Sequence, residues 1–164
     1  MARIPFSSVR AGIVAIASLT AGLAAEAAEP QRIVSIGGSV TEVLYQVGMA
    51  DRVVRIHTTA LYPPEAIKTK PNVGYLRALS PEGVLALSPD LIIMEKDAGP
   101  PDAVALLDKA GISVVHVPPR HELKELPEKT RTIAAAVGKE NEGGATADKV
   151  VADLDRLQTD LKRV

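Results

Sequence analysis

The chain has 164 residues, no cysteine and a formal net charge of −1, which is length enough for one moderate-sized domain with a hydrophobic core. With Lys+Arg 19 against Asp+Glu 20, it lacks the positive excess of a nucleic-acid surface, so no nucleic-acid partner is expected. The absence of cysteine excludes a disulfide framework and a thiolate metal site.

Arg3 and Arg10 flank the beginning of the chain, and Ala11 to Ala25 follow as an apolar run. Ala25-Glu26-Ala27 then offers small residues at the spacing a signal peptidase accepts. The run is shorter than the about 20 apolar residues of a membrane span. Residues 1–27 therefore predict a cleaved signal peptide and a periplasmic destination, against the alternatives of a retained anchor or a buried helix. Cleavage before Ala28 leaves 137 residues with charge −2, whose aromatic side chains are Tyr45, Tyr62 and Tyr75.

In the remainder, Arg32 to Ile36 is a short apolar, β-branched run that predicts a buried strand. Gly37 and Gly38 break it. Ser39 and Glu42 then stand in the S-x-x-E spacing of a capping box, opening a helix that Gly48 closes. Arg52 to Ile56 predicts a second strand. From His57 to Leu79, Pro63, Pro64, Pro71 and Gly74 interrupt any helical period, so this stretch predicts loop and short turns. Ser80-Pro81 opens a helix through Leu87, and Ser88-Pro89 ends it. Leu91 to Met94 and Ile112 to Val117 predict two further strands, separated by a helix from Pro101 to Ala110. Strands alternating with helices, each strand continuously apolar, predict an α/β fold with a parallel sheet covered on both faces.

Pro127 to Val137 predicts another helix, and Lys139 to Gly144 a polar linker. Beyond it, Ala147, Val150, Val151, Leu154, Leu157 and Leu161 recur at helical spacing up to the last residues.

The stretch from Arg32 to Pro119 resembles the periplasmic binding proteins for iron chelates, cobalamin and haem. The resemblance rests on RIVSIGGSVTEVLYQVG, the pair Tyr62-Pro63, and LSPEGVLALSPDLII. It implies a Rossmann-like lobe of a two-lobed binding protein with a single interlobe helix, ligand being held between the lobes. On this reading residues 28–145 form the amino-terminal ligand-binding lobe, residues 146–164 begin the interlobe helix, and the second lobe is missing. Either the sequence is a fragment or the gene is truncated.

Within the stretch, NVGYLRAL (Asn72 to Leu79) resembles the segment that marks the hemin-binding branch. The resemblance implies that Tyr75 is the axial ligand of haem iron, that haem is the transported ligand, and that an ABC permease of the inner membrane receives it. An outer-membrane haem receptor pathway would stand upstream. In related proteins a glutamate at the place of Glu82 docks on permease arginines. An exposed glutamate in a first helical turn also stabilises its own helix through the dipole.

The chemistry of these residues agrees with such a role. A tyrosine is ordinarily neutral at pH 7, ionising near about pH 10, and a bound cation stabilises its phenolate. Tyrosinate is a known haem ligand type. If Gly74 to Arg77 is extended, Tyr75 and Arg77 project from one face, where Arg77 can favour the phenolate or pair with a haem propionate. Gly74 lets the backbone approach a flat ligand. The alternative is a half-exposed loop tyrosine beside a solvated arginine.

Gly37, Gly38 and Ser39 precede a helix amino terminus that attracts carboxylates such as a propionate, or they form an ordinary strand-to-helix turn. Tyr62, with Lys68 or Lys70, is a further candidate for the same mouth, although Tyr-Pro is also a plain turn signal. His57, His116 and His121 form no spaced ligand cluster. His116 reads as a satisfied strand residue, and His57 is the histidine to test as a ligand.

Two other ligands suit the same fold, a ferric siderophore or a corrinoid, and a single lobe that cannot close would be non-functional in transport. An enzyme is not expected, since the chain has no nucleophile elbow and no phosphate loop.

Overall fold

The computed structural model describes residues 29–118 and 122–163. The expected signal peptide, residues 1–27, lies outside the described residues, as does His121. Four short strands assemble into one parallel sheet: β1 (Ile33–Ile36), β2 (Val53–Ile56), β3 (Leu91–Glu95) and β4 (Ser113–Val117). Their order is β2-β1-β3-β4, with β1 paired in parallel to both β2 and β3, and β3 to β4.

The central strands are apolar on both sides because both faces are covered. Ile33, Leu91 and Ile93 pack with Val40, Leu44 and Val47 of the first helical segment and with Ile133, Ala134 and Val137. Val34, Ile36, Ile92 and Met94 pack on the other face with Val73, Leu79, Val84, Ala103 and Leu107. Each aliphatic side chain so buried stabilises the fold by about 1.5–3 kcal/mol before entropy is counted. Edge strand β4 is only partly covered.

The helices are α1 (Gly38–Gln46), α2 (Pro64–Thr69), α3 (Pro81–Leu85), α4 (Pro101–Asp108), α5 (Leu126–Ala135) and α6 (Glu140–Leu161). Helix α1 lies on one face with α5, and α3 and α4 lie on the other. The connection from β1 runs to one side of the sheet and that from β3 to the other. The carboxyl ends of β1 and β3 therefore flank the topological switch point, the usual position of ligands in open parallel sheets.

Four local expectations are corrected. Ser39 and Glu42 form no capping box: α1 begins at Gly38 with no side-chain cap, because the Ser39 hydroxyl donates to Glu95 Oε1 at 2.7 Å instead. The stretch His57 to Leu79 is not all loop, since α2 occupies Pro64–Thr69 with its prolines at the helix start, where a missing N–H costs nothing. The helix from Ser80 stops at Leu85 rather than Leu87. Lys139 to Gly144 is not a linker, because α6 starts at Glu140 rather than Thr146. Gly143 is inside that helix for packing: a Cβ there would collide with Ala134 Cβ of α5. Past Leu154, α6 stands clear of the lobe, with Leu157 and Leu161 exposed. No helix among the described residues is long and apolar enough to cross a membrane.

Candidate ligand site at the carboxyl edge of the sheet

The segment carrying Tyr75 is fixed at the carboxyl end of the sheet by backbone hydrogen bonds. Ile56 N–H donates to Pro71 O at 3.2 Å, Val73 N–H to Ile56 O at 2.9 Å, and Thr58 N–H to Gly74 O at 2.9 Å. Asn72 Oδ1 accepts from Gly74 N–H at 3.1 Å. Gly74 has φ +96°, a conformation that a side chain would strain. The chain then turns: Ala78 N–H donates to Tyr75 O at 2.9 Å.

Tyr75 and Arg77 thus lie on a tight turn, so the condition of an extended segment, on which a shared face depended, is not met. Tyr75 remains 50% exposed. Arg77 pairs with Asp97 at 3.3 Å, its side chain 64% exposed. The turn is held against the β3–α4 loop, with Gly99 N–H on Leu76 O at 3.0 Å and Leu79 N–H on Gly99 O at 2.9 Å. Tyr62, after the β2 loop, is exposed. Gly38 lies near that loop, where an added Cβ would approach Thr59 O at 3.8 Å.

Beneath this rim is a buried polar cluster. Glu95, at the end of β3, accepts from Ser39 Oγ at 2.7 Å and from Lys129 Nζ of α5 at 2.6 Å, all on Oε1. The Lys129 side chain is only 5% exposed. Gly37 has φ +136°, and a Cβ there would stand 2.6 Å from Glu95 Cγ, so glycine is required by conformation and by space. Gly37 N–H donates to His57 Nδ1 at 3.2 Å. His57 is buried at the end of β2. Its burial pushes the imidazole below its ordinary range, with the Glu95 charge opposing that shift. Because Nδ1 accepts a hydrogen bond inside the protein, His57 does not offer that nitrogen as an open metal ligand.

His116 is bonded to Asp108 at 2.8 Å on the lobe's surface. Glu82 is exposed in the first turn of α3. Its own backbone N–H and the Ser80 hydroxyl hold its carboxyl below the usual range, Ser80 Oγ lying 3.0 Å away. Among the described residues no group of three His, Asp or Glu side chains suits a metal ion.

Gly38, Ser39, Tyr62, Gly74, Tyr75 and Arg77 all follow the carboxyl ends of β1 and β2, while Glu82 is in the first turn of α3. Glu95, Lys129 and Asp97 escaped the sequence reading. A signal existed for two of them. Glu95 is a charge ending the apolar run Leu91 to Met94, and Lys129 falls at helical spacing between Leu126 and Ile133, the only charge on a face it shares with Thr130.

The described residues thus form a parallel α/β sheet layered with helices, with Tyr62 and Tyr75 exposed beyond its strand ends. The chain belongs to the periplasmic binding protein family, which it matches over residues 33–164, a family serving substrate binding in transport. It is similar to the periplasmic heme-binding protein RhuT from Roseiflexus sp. RS-1 in apo form. The TM-score is 0.79 at 36% identity, covering 82% of this chain and 51% of that one. A vitamin B12-binding protein of Yersinia pseudotuberculosis is 34% identical over 116 residues, 71% of this chain and 40% of the relative. The uncharacterized ABC transporter substrate-binding lipoprotein YvrC of Bacillus subtilis (strain 168) is 31% identical over 138 residues, 83% of this chain and 43% of the relative. The chain thus spans about half the length, or less, of the relatives it matches.

Proposed function

We propose that this lobe receives haem in the periplasm, with Tyr75 as the axial ligand to ferric iron, for delivery to an ABC-type inner-membrane importer. The observation that carries the reading is the half-exposed Tyr75 ring on a glycine-anchored turn at the strand ends. Similarity to a heme-binding protein supports it. Phenolate oxygen is a suitable donor to ferric haem. Arg77 is placed two residues on, where it can exchange Asp97 for a propionate. Gly38 and Ser39 line the same edge with the first turn of α1, and Tyr62 adds an exposed ring. On this reading the chain binds and releases its ligand without turnover. Residues 1–27 direct export and are cleaved, residues 28–145 form the lobe, and the part of α6 beyond residue 145 begins the interlobe helix. Glu82, exposed on α3, meets permease arginines.

A second reading is a corrinoid ligand, favoured by the similarity to a vitamin B12-binding protein. Calorimetric titration of the purified chain with hemin and with cyanocobalamin separates the two. Haem capture predicts saturable hemin binding that Tyr75→Ala weakens about tenfold or more, with no heat from cyanocobalamin. Binding of cyanocobalamin alone would transfer the assignment to the corrinoid.

A further inference from the structure

Of the cluster under the rim, His57, Glu95 and Lys129 take no part in the proposed ligand contact, and the Ser39 hydroxyl is bonded to Glu95. Burying an ammonium and a carboxylate together is a poor way to gain stability. Yet Glu95 and Lys129 sit at the switch point, bridging the first turn of α1, β3 and α5. His57 completes the arrangement. Its ring accepts from Gly37 N–H, and the next residue, Thr58, donates its N–H to Gly74 O, one peptide before Tyr75. His57 therefore joins the turn after β1 to the loop that carries the exposed tyrosine.

We propose that His57 is a positioning residue, which holds the Tyr75 loop in its ligand-receiving geometry only as the neutral imidazole, with the Glu95–Lys129 pair fixing the wall behind it. The inference rests on the reading of Tyr75 as the ligand contact. The physical reason is donor and acceptor matching. Neutral His57 presents a lone pair at Nδ1 to the Gly37 N–H. Protonated, it presents a second N–H to that donor, and the bond is lost. The charged groups in the cluster are Glu95 from β3 and Lys129 from α5, already paired at 2.6 Å. Helix α1 and the turn before it contribute only the Ser39 hydroxyl and the Gly37 amide. An imidazolium would compete with Lys129 for one carboxylate. Burial already disfavours the charged ring, so the change comes on the acid side of histidine's ordinary range.

The test measures hemin affinity for the full chain at about pH 7.5 and about pH 5, in the unsubstituted protein, His57→Asn and His57→Leu. The asparagine variant keeps an acceptor near the Nδ1 position and does not titrate there. The unsubstituted protein is expected to lose roughly tenfold more affinity on acidification than His57→Asn, while His57→Leu binds weakly at both values. Should His57→Leu fail to fold, the first two proteins decide the matter. In the ligand-free protein, the Gly37 and Gly74 amide resonances should titrate together with the His57 ring. Equal acid losses in the unsubstituted protein and in His57→Asn, or a Gly74 amide indifferent to His57, would overturn the proposal. If hemin does not bind, cyanocobalamin replaces it: the same profile then upholds His57 while the haem reading falls. Binding of neither probe overturns both.

Discussion

Two regions at the carboxyl edge of the sheet, close in the fold, have opposite character. His57, Glu95 and Lys129 are turned inward, with their hydrogen bonds made inside the protein. Tyr62, Tyr75 and Arg77 are exposed to solvent, with Tyr75 held in its turn through its backbone carbonyl. The inner group sets geometry and the outer group offers contact. Substitutions should accordingly divide, with inner changes read first in stability and outer changes read first in binding.

The sharpest break in that division is Glu95→Ala, which leaves Lys129 charged, buried and without its carboxylate. Loss of one partner from a buried pair costs about 3–5 kcal/mol, measurable by urea unfolding; an unchanged midpoint would mean the pair is open to water. Next comes Gly143→Leu, which forces a side chain against Ala134 where α5 and α6 meet. Overpacking of this kind costs about 1–3 kcal/mol, and hemin binding at the strand-end rim should persist at the same affinity.

Acid sensitivity follows from His57. Its folded-state value is depressed, so the unfolded chain binds the proton first. The contribution to stability is full above about pH 6.5 and is lost as pH falls below that value. His57→Asn should flatten the slope of melting temperature against pH in that window, and an unchanged slope would assign the loss to carboxylates. The smallest stability change belongs to the rim: Tyr75→Phe and Arg77→Ala should stay within about 0.5 kcal/mol of the parent, so any loss of binding there is a loss of contact.

The same contrast explains what was legible in the sequence. The sheet was, because β1 and β3 are buried on both faces and so read as mainly apolar runs, with Ser35 and the terminal Glu95 the exceptions. Gly74, Tyr75 and Arg77 could be picked out as candidates because they lie in one short segment, but the turn that closes between Tyr75 and Ala78 could not. Helix α2 was hidden by prolines that open it rather than break it, and the start of α6 by glycines, of which Gly143 serves close helix packing. The capping function of Ser39 was overridden by a partner 56 residues away, and Lys129 meets Glu95 across 34 residues. Local patterns carry no information about such pairings. Only the folded sheet brings them together.

The most direct measurement is the visible and electron paramagnetic resonance spectrum of ferric hemin bound to the chain, compared with Tyr75→Phe, which removes one oxygen and little else. Tyrosinate ligation predicts a high-spin ferric signal with phenolate-to-iron charge-transfer absorption that disappears in Tyr75→Phe. An identical spectrum in the two proteins would contradict it.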